Sequence, residues 1–105
     1  MQQRSGEMLK AIEGHFHAVI RGRAAALVDR HRLTLPDLTN APSRREERAW
    51  FPIPGMYGGF AYWLEGEGDS LKLISESWCR VVGGCAERHE ITPQGSTLVA
   101  EGWDL

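Results

Sequence analysis

The feature that most constrains this chain is a change of apolar period near its middle. From residue 5 to residue 31 the apolar positions Leu9, Ile12, Phe16, Val19, Ile20, Ala24, Leu27 and Val28 recur mostly at steps of three and four. That is the spacing of one helical face. From residue 50 onward, short apolar runs are separated by glycine-rich turns, the pattern of strands in a sheet. A helical half followed by a strand half predicts an α+β domain, with helices packed on one face of one sheet. Gly22 interrupts the helical pattern, and glycine costs a helix about 1 kcal/mol relative to alanine. Two helices joined or kinked near Gly22 are therefore expected. Residues 34–42 carry two prolines with Asp37 and Asn40 and read as a loop. Ser43 and Glu46 have capping-box spacing, which predicts a short helix over 43–48. The prolines that follow favour an extended chain at 50–54. Strands are expected at 60–65, 71–82, 85–92 and 97–103, with turns at 66–69, 83–84 and 93–96.

The 105 residues suffice for one domain, 1–105, with one modest core. An apolar fraction of 42% and a charged fraction of 25% are ordinary for a soluble globular protein. No apolar run approaches the roughly 18 residues of a membrane span. The N-terminal stretch is mixed and polar, without the apolar core of a secretory signal, so a cytoplasmic address is expected. The net charge of −2 argues against nucleic acid as a partner. Arginine outnumbers lysine, but the arginines alternate with acids, as in Arg44-Arg45-Glu46-Glu47-Arg48. That pattern reads as codon bias rather than recognition. Cys79 and Cys85 lack two further ligands for a zinc site. They are expected as free thiols in a reducing compartment, and no motif asks for a metal or a cofactor.

Gly83-Gly84 has the composition of a two-residue hairpin loop. Such a loop sets Val82 opposite Cys85, Arg80 opposite Glu87, Trp78 opposite His89 and Glu76 opposite Ile91. Because side chains alternate along a strand, these residues share one face with Ile74. Leu73, Ser75, Ser77, Cys79, Val81, Arg88 and Glu90 take the other. The first face combines an indole, an imidazole, a guanidinium and carboxylates with apolar neighbours, a mixture suited to a ligand pocket. Trp78, Arg80, His89 and Glu76 are thus the candidate ligand-binding residues. His89 and Glu76 are the candidates for any acid–base chemistry. The ordinary alternative is a surface Arg–Glu pair with His89 stacked on Trp78. The same register turns Cys79 and Cys85 to opposite faces and predicts that they stay unlinked.

Other groups read as structural. His15 and His17 point about 200° apart on a helix, which is no metal pair. Glu13, His17 and Arg21 form a charged stripe expected at the surface. The stretch 54–59 lacks the lysine and hydroxyl of a phosphate loop and reads as a turn. The four tryptophans, Trp50, Trp63, Trp78 and Trp103, all lie in the strand half. One helical layer cannot hide them all, so the surplus points to a ligand pocket or a subunit interface.

The stretches Ile20-Arg21-Gly22-Arg23-Ala24-Ala25-Ala26-Leu27-Val28-Asp29, 74–82 and His89-Glu90-Ile91-Thr92 resemble the nuclear-transport-factor-like superfamily. This is the cone-shaped α+β fold of ketosteroid isomerase, scytalone dehydratase and the SnoaL-like cyclases. The resemblance implies N-terminal helices on a curved, mainly antiparallel sheet of four to five strands, with a concave face and frequent dimerisation. A cystatin-like roll, one helix on an antiparallel sheet, is the alternative architecture. The expected function is a small cytoplasmic pocket protein that binds a small, partly apolar ligand on the sheet face. The alternative is a non-enzymatic homodimeric module that uses exposed aromatics. Neither reading calls for a membrane.

Overall fold

The computed structural model describes residues 2–79 and 85–102, with side chains from 6 to 79 and from 86 to 102. A helix α1 (Gln2–Arg30) precedes five strands, β1 (Ala49–Ile53), β2 (Gly58–Glu65), β3 (Lys72–Cys79), β4 (Cys85–Thr92) and β5 (Gly95–Glu101). The strands form one antiparallel sheet in chain order. The α+β architecture is therefore as the sequence requires, with one long helix on a five-stranded sheet. No described helix is long and apolar enough to cross a membrane.

The helix buries Ile12, Phe16, Ile20, Ala24 and Val28 against the sheet. In a helix of 3.6 residues per turn, a stripe that recurs every four residues drifts about 40° per repeat. A straight helix would carry the stripe off the sheet. The kink restores it: Ala24 has non-helical φ/ψ (−140°, 26°), two residues beyond Gly22. The helix ends in a Schellman arrangement. Leu33 N–H bonds to Val28 C=O and Arg32 N–H to Asp29 C=O. Arg32 occupies the left-handed position at φ 51° that glycine usually takes.

Two residues of the supposed surface stripe hold the following loop instead. The carboxylate of Glu13 accepts the Leu38 N–H at 2.8 Å, and His17 Nε2 bonds to the Pro36 carbonyl at 2.6 Å. Arg21 alone behaves as expected, in an exposed pair with Asp29. His15 points away from His17 and reaches the Pro93 carbonyl. The expected helix at 43–48 is a single 3-10 turn, Arg45–Glu47, whose N-cap is Arg44, without a side-chain cap. The capping box lies later, between Glu67 and Ser70.

The register of β3 and β4 departs from the expected hairpin. Leu73 pairs with Ile91, Ser75 with His89, Glu76 with Arg88, Trp78 with Ala86 and Cys79 with Cys85. The expected Gly83-Gly84 turn lies outside the described residues, as do Arg80, Val81 and Val82. The pairing is offset by three from the one inferred from that turn, and an odd offset turns one strand over. The physical reason is burial. Leu73 and Ile91 both enter the core under α1, which a Glu76–Ile91 pairing would forbid. The cysteine expectation fails for the same reason. Cys79 is disulfide-bonded and no described cysteine is free. Directly opposed Cα atoms lie about 4.5–5.5 Å apart, inside the range a disulfide needs. The bond removes the thiol argument for a reducing compartment.

Candidate functional site: an aromatic cleft on the uncovered sheet face

The two faces of the sheet follow from the register. Toward α1 point Phe51, Phe60, Tyr62, Leu73, Ser75, Ser77, Glu87, His89 and Ile91. The other face carries Trp50, Ala61, Trp63, Ile74, Glu76, Trp78, Ala86 and Arg88. Among the described residues no α-helix covers this second face, yet its centre is apolar and buried at Ala61, Trp63, Ile74 and Ala86. Arg45 of the 3-10 turn lies over the Trp63 ring at 5.9 Å, and the Trp63 indole N–H donates to Glu65 at 2.8 Å.

At one end of this face the surface opens into a cleft of about 770 Å³. Trp50 and Trp78 form its wall, with ring centroids 5.9 Å apart and planes at 47°. Small residues make the floor. Ala61 and Gly58 border the cleft, and a Cβ at Gly58 would collide with the Trp78 carbonyl while one at Gly59 would collide with that of Phe51. These glycines let β1, β2 and β3 approach closely where the two indoles meet. Tyr57 stands at the mouth, 75% exposed and at φ 55°. A bulky residue in the left-handed region is costly, and strain of this kind gathers at functional positions. Arg48 and Glu46 supply a cation and an anion at the rim, and Cys79 also borders the cleft.

The expected constellation is divided. Trp78 lines the cleft. Glu76 lies on the same face but is consumed there: it is 2% exposed and accepts Nε and Nη2 of Arg88 on one carboxylate oxygen, the Nε contact at 2.9 Å. A buried carboxylate without such a partner would be strongly destabilising, so Glu76 is a structural ion pair in this position. His89 and Glu87 lie on the opposite face, under the helix, where Glu87 meets Arg23 at 3.2 Å. Trp78 and His89 therefore cannot share a pocket. Arg80 lies outside the described residues. Trp50, Tyr57, Arg48 and Glu46 were not singled out as site residues. Only the tryptophan surplus pointed toward them, because their meeting depends on strand register. Among the described residues no group of three or more histidine, cysteine or acidic side chains could hold a metal. Compared with known proteins, the chain matches no family model, no curated protein and no solved structure.

Proposed function

We propose that the protein binds a small, flat, partly apolar molecule against the Trp50–Trp78 wall. The observation that carries this reading is the cleft itself, a concavity of about 770 Å³ with Trp50 left 49% exposed beside it. Small-molecule sites commonly fall in the range of about 300–1,000 Å³ and combine aromatic walls with a few polar groups. A planar ligand gains stacking area on the indoles, and Arg48 and Glu46 orient its polar edge. The reading is one of binding, since the lining offers stacking surface and two charged rim residues. The kinship with the nuclear-transport-factor-like superfamily is part of the same proposal.

Tryptophan fluorescence titration with naphthalene-2-carboxylate and naphthalene-2-carboxamide tests it. Saturable quenching is expected, at least tenfold weaker in Trp50→Ala and unchanged in His89→Ala. Equal affinity in Trp50→Ala, with the fold retained, would place the site elsewhere. A second reading, a homodimer, is favoured by the exposed Leu98 and Val99 on edge strand β5. Light scattering at micromolar concentration separates the two, because a dimer doubles the 11.7 kDa chain mass.

A further inference from the structure

Arg23 brings a positive charge to a sulfur. It stands one residue before the kink at Ala24, and its side chain is 15% exposed. Nη1 donates to Ser77 Oγ at 2.7 Å and pairs with Glu87 at 3.2 Å, while Nη2 donates to Cys79 Sγ at 3.9 Å. The guanidinium thus joins α1 to the end of β3 and to β4. The contacts with Ser77 and Glu87 are ordinary hydrogen bonding and charge pairing. The contact with Cys79 is different, because a disulfide sulfur is neutral and a weak acceptor. The chain has two cysteines, so the bond of Cys79 is to Cys85, which opposes it at the end of the β3–β4 ladder.

What the cation favours is the reduced pair. A thiolate carries a full negative charge, and an arginine beside it stabilises that form over the thiol. A charge-assisted hydrogen bond is about twice as strong as a neutral one. The disulfide has no such charge, so the guanidinium draws the equilibrium toward the dithiol. A partly buried pair is also screened by salt less than surface charges are.

The surrounding groups set the balance. Glu87 opposes the effect, since it occupies part of the guanidinium and repels a thiolate. His89 borders the same seam as Arg23 and Glu87. Burial, more than the neighbouring Arg23, pushes its pKa down against the pull of Glu87, so it is neutral at pH 7.5. Glu46 and Arg48 border the aromatic cleft with Cys79 and carry opposite charges.

We infer that Cys79 and Cys85 form a redox-sensitive tie whose dithiol state Arg23 stabilises by holding Cys79 as the thiolate. Two molecules of a small thiol such as glutathione supply the electrons. The protein S–S bond breaks and one S–S bond forms between the two small thiols. Of the two protons released, Cys85 takes up one and solvent the other, and Cys79 keeps the negative charge. Oxidised, the end of β3 is joined covalently to β4. Reduced, it is joined by charge to α1. Ligand binding in the aromatic cleft is not needed for this.

The test equilibrates the full chain anaerobically at pH 7.5 in mixtures of reduced and oxidised glutathione. Thiols are trapped with N-ethylmaleimide and counted by mass spectrometry. Arg23→Gln should shift the equilibrium at least fivefold toward the disulfide, and Glu87→Gln at least twofold toward the dithiol. Arg21→Gln, at an exposed arginine of the same helix, should leave it unchanged. Thiolate ultraviolet absorbance then assigns the sulfur. Cys85→Ser should show the thiolate at pH 7.5, and Cys79→Ser should not. That reading needs no change at Arg23, so it decides the matter even where Arg23→Gln fails to fold. Three results would each overturn the inference: no thiolate at pH 7.5 in folded Cys85→Ser, a wild-type equilibrium in folded Arg23→Gln, or a shift of Glu87→Gln toward the disulfide.

Discussion

The two faces of the sheet solve the same burial problem in different ways. The face under α1 is closed by five helical residues at four-residue steps, with Phe16 set edge-on to Phe60 and tilted against Tyr62. Among the described residues the opposite face has no α-helix over it. It is covered in part by single side chains, with Arg45 over Trp63 and Arg88 bonded to Glu76. Where that cover ends, Trp50 and Trp78 are left as a wall. The difference teaches that aromatic side chains on this domain are placed in two ways. Those under the helix pack into the core, and Trp50 beside the cleft is left half exposed.

The sharpest test sets one aromatic from each face against the other. Phe16→Ala should lower stability by about 3–5 kcal/mol in urea unfolding, the usual range for emptying a buried aromatic site. Trp50→Ala, at a half-exposed position, should cost less than about 1 kcal/mol. Comparable losses would mean that the open face is a second structural core rather than a binding surface.

The ion pair on the open face comes next. Arg88→Ala leaves the buried Glu76 carboxylate without its partner and should cost about 3 kcal/mol. Pairing that change with Glu76→Leu should recover most of the loss, because an apolar pair needs no desolvation compensation. Failure of the double variant to recover would show that Glu76 has a further role in the face.

The third test distinguishes the faces by pH. The folded pKa of His89 is depressed, mainly by burial. The unfolded chain therefore binds the proton more readily, and stability falls as pH drops below the ordinary histidine value near 6.5. The loss grows until the folded pKa is passed. Urea midpoints at pH 7.5 and 5.5 should differ less in His89→Gln than in wild type, while Trp50→Ala should keep the wild-type difference. An unchanged pH response in His89→Gln would remove His89 from the buried layer.

The smallest effect is expected at Tyr57. Glycine there relieves the positive φ, so Tyr57→Gly should raise stability by about 1 kcal/mol and weaken naphthalene-2-carboxylate binding. A gain in stability without a loss of binding would show that the strained residue serves the turn and not the cleft.

Much of the architecture was legible because it depends on local chemistry. Ile12, Phe16 and Ile20 announce a helix by spacing, Gly22 announces its kink, and Pro93-Gln94 with Gly95 close the β4–β5 hairpin within the expected turn. Alternation along β3 likewise told which of its residues share a face. The candidate site was only half legible. Strand alternation points to Trp78 and the tryptophan surplus includes Trp50, but nothing local picks out Tyr57, and the turn-based register puts His89 on the side of the sheet that the structure does not.

The physical reason lies in the difference between period and register. Period is a property of one strand and is written in its own residues. Register is decided between strands, and here it is decided by a third element. The glycine pair at 83–84 favours a tight turn that would set Glu76 against Ile91, but α1 rewards the register that buries Leu73 and Ile91 together. That choice turns β4 over. It carries His89 and Glu87 under the helix, away from Trp78, and brings Cys79 opposite Cys85, while the β1–β2–β3 register sets Trp78 beside Trp50. The sequence by itself determined a helix followed by an antiparallel sheet with more aromatics than one layer can hide. Only the packing of α1 decided which chemistry lies on each side of that sheet, because the burial of two apolar side chains outweighs the preference of a local turn.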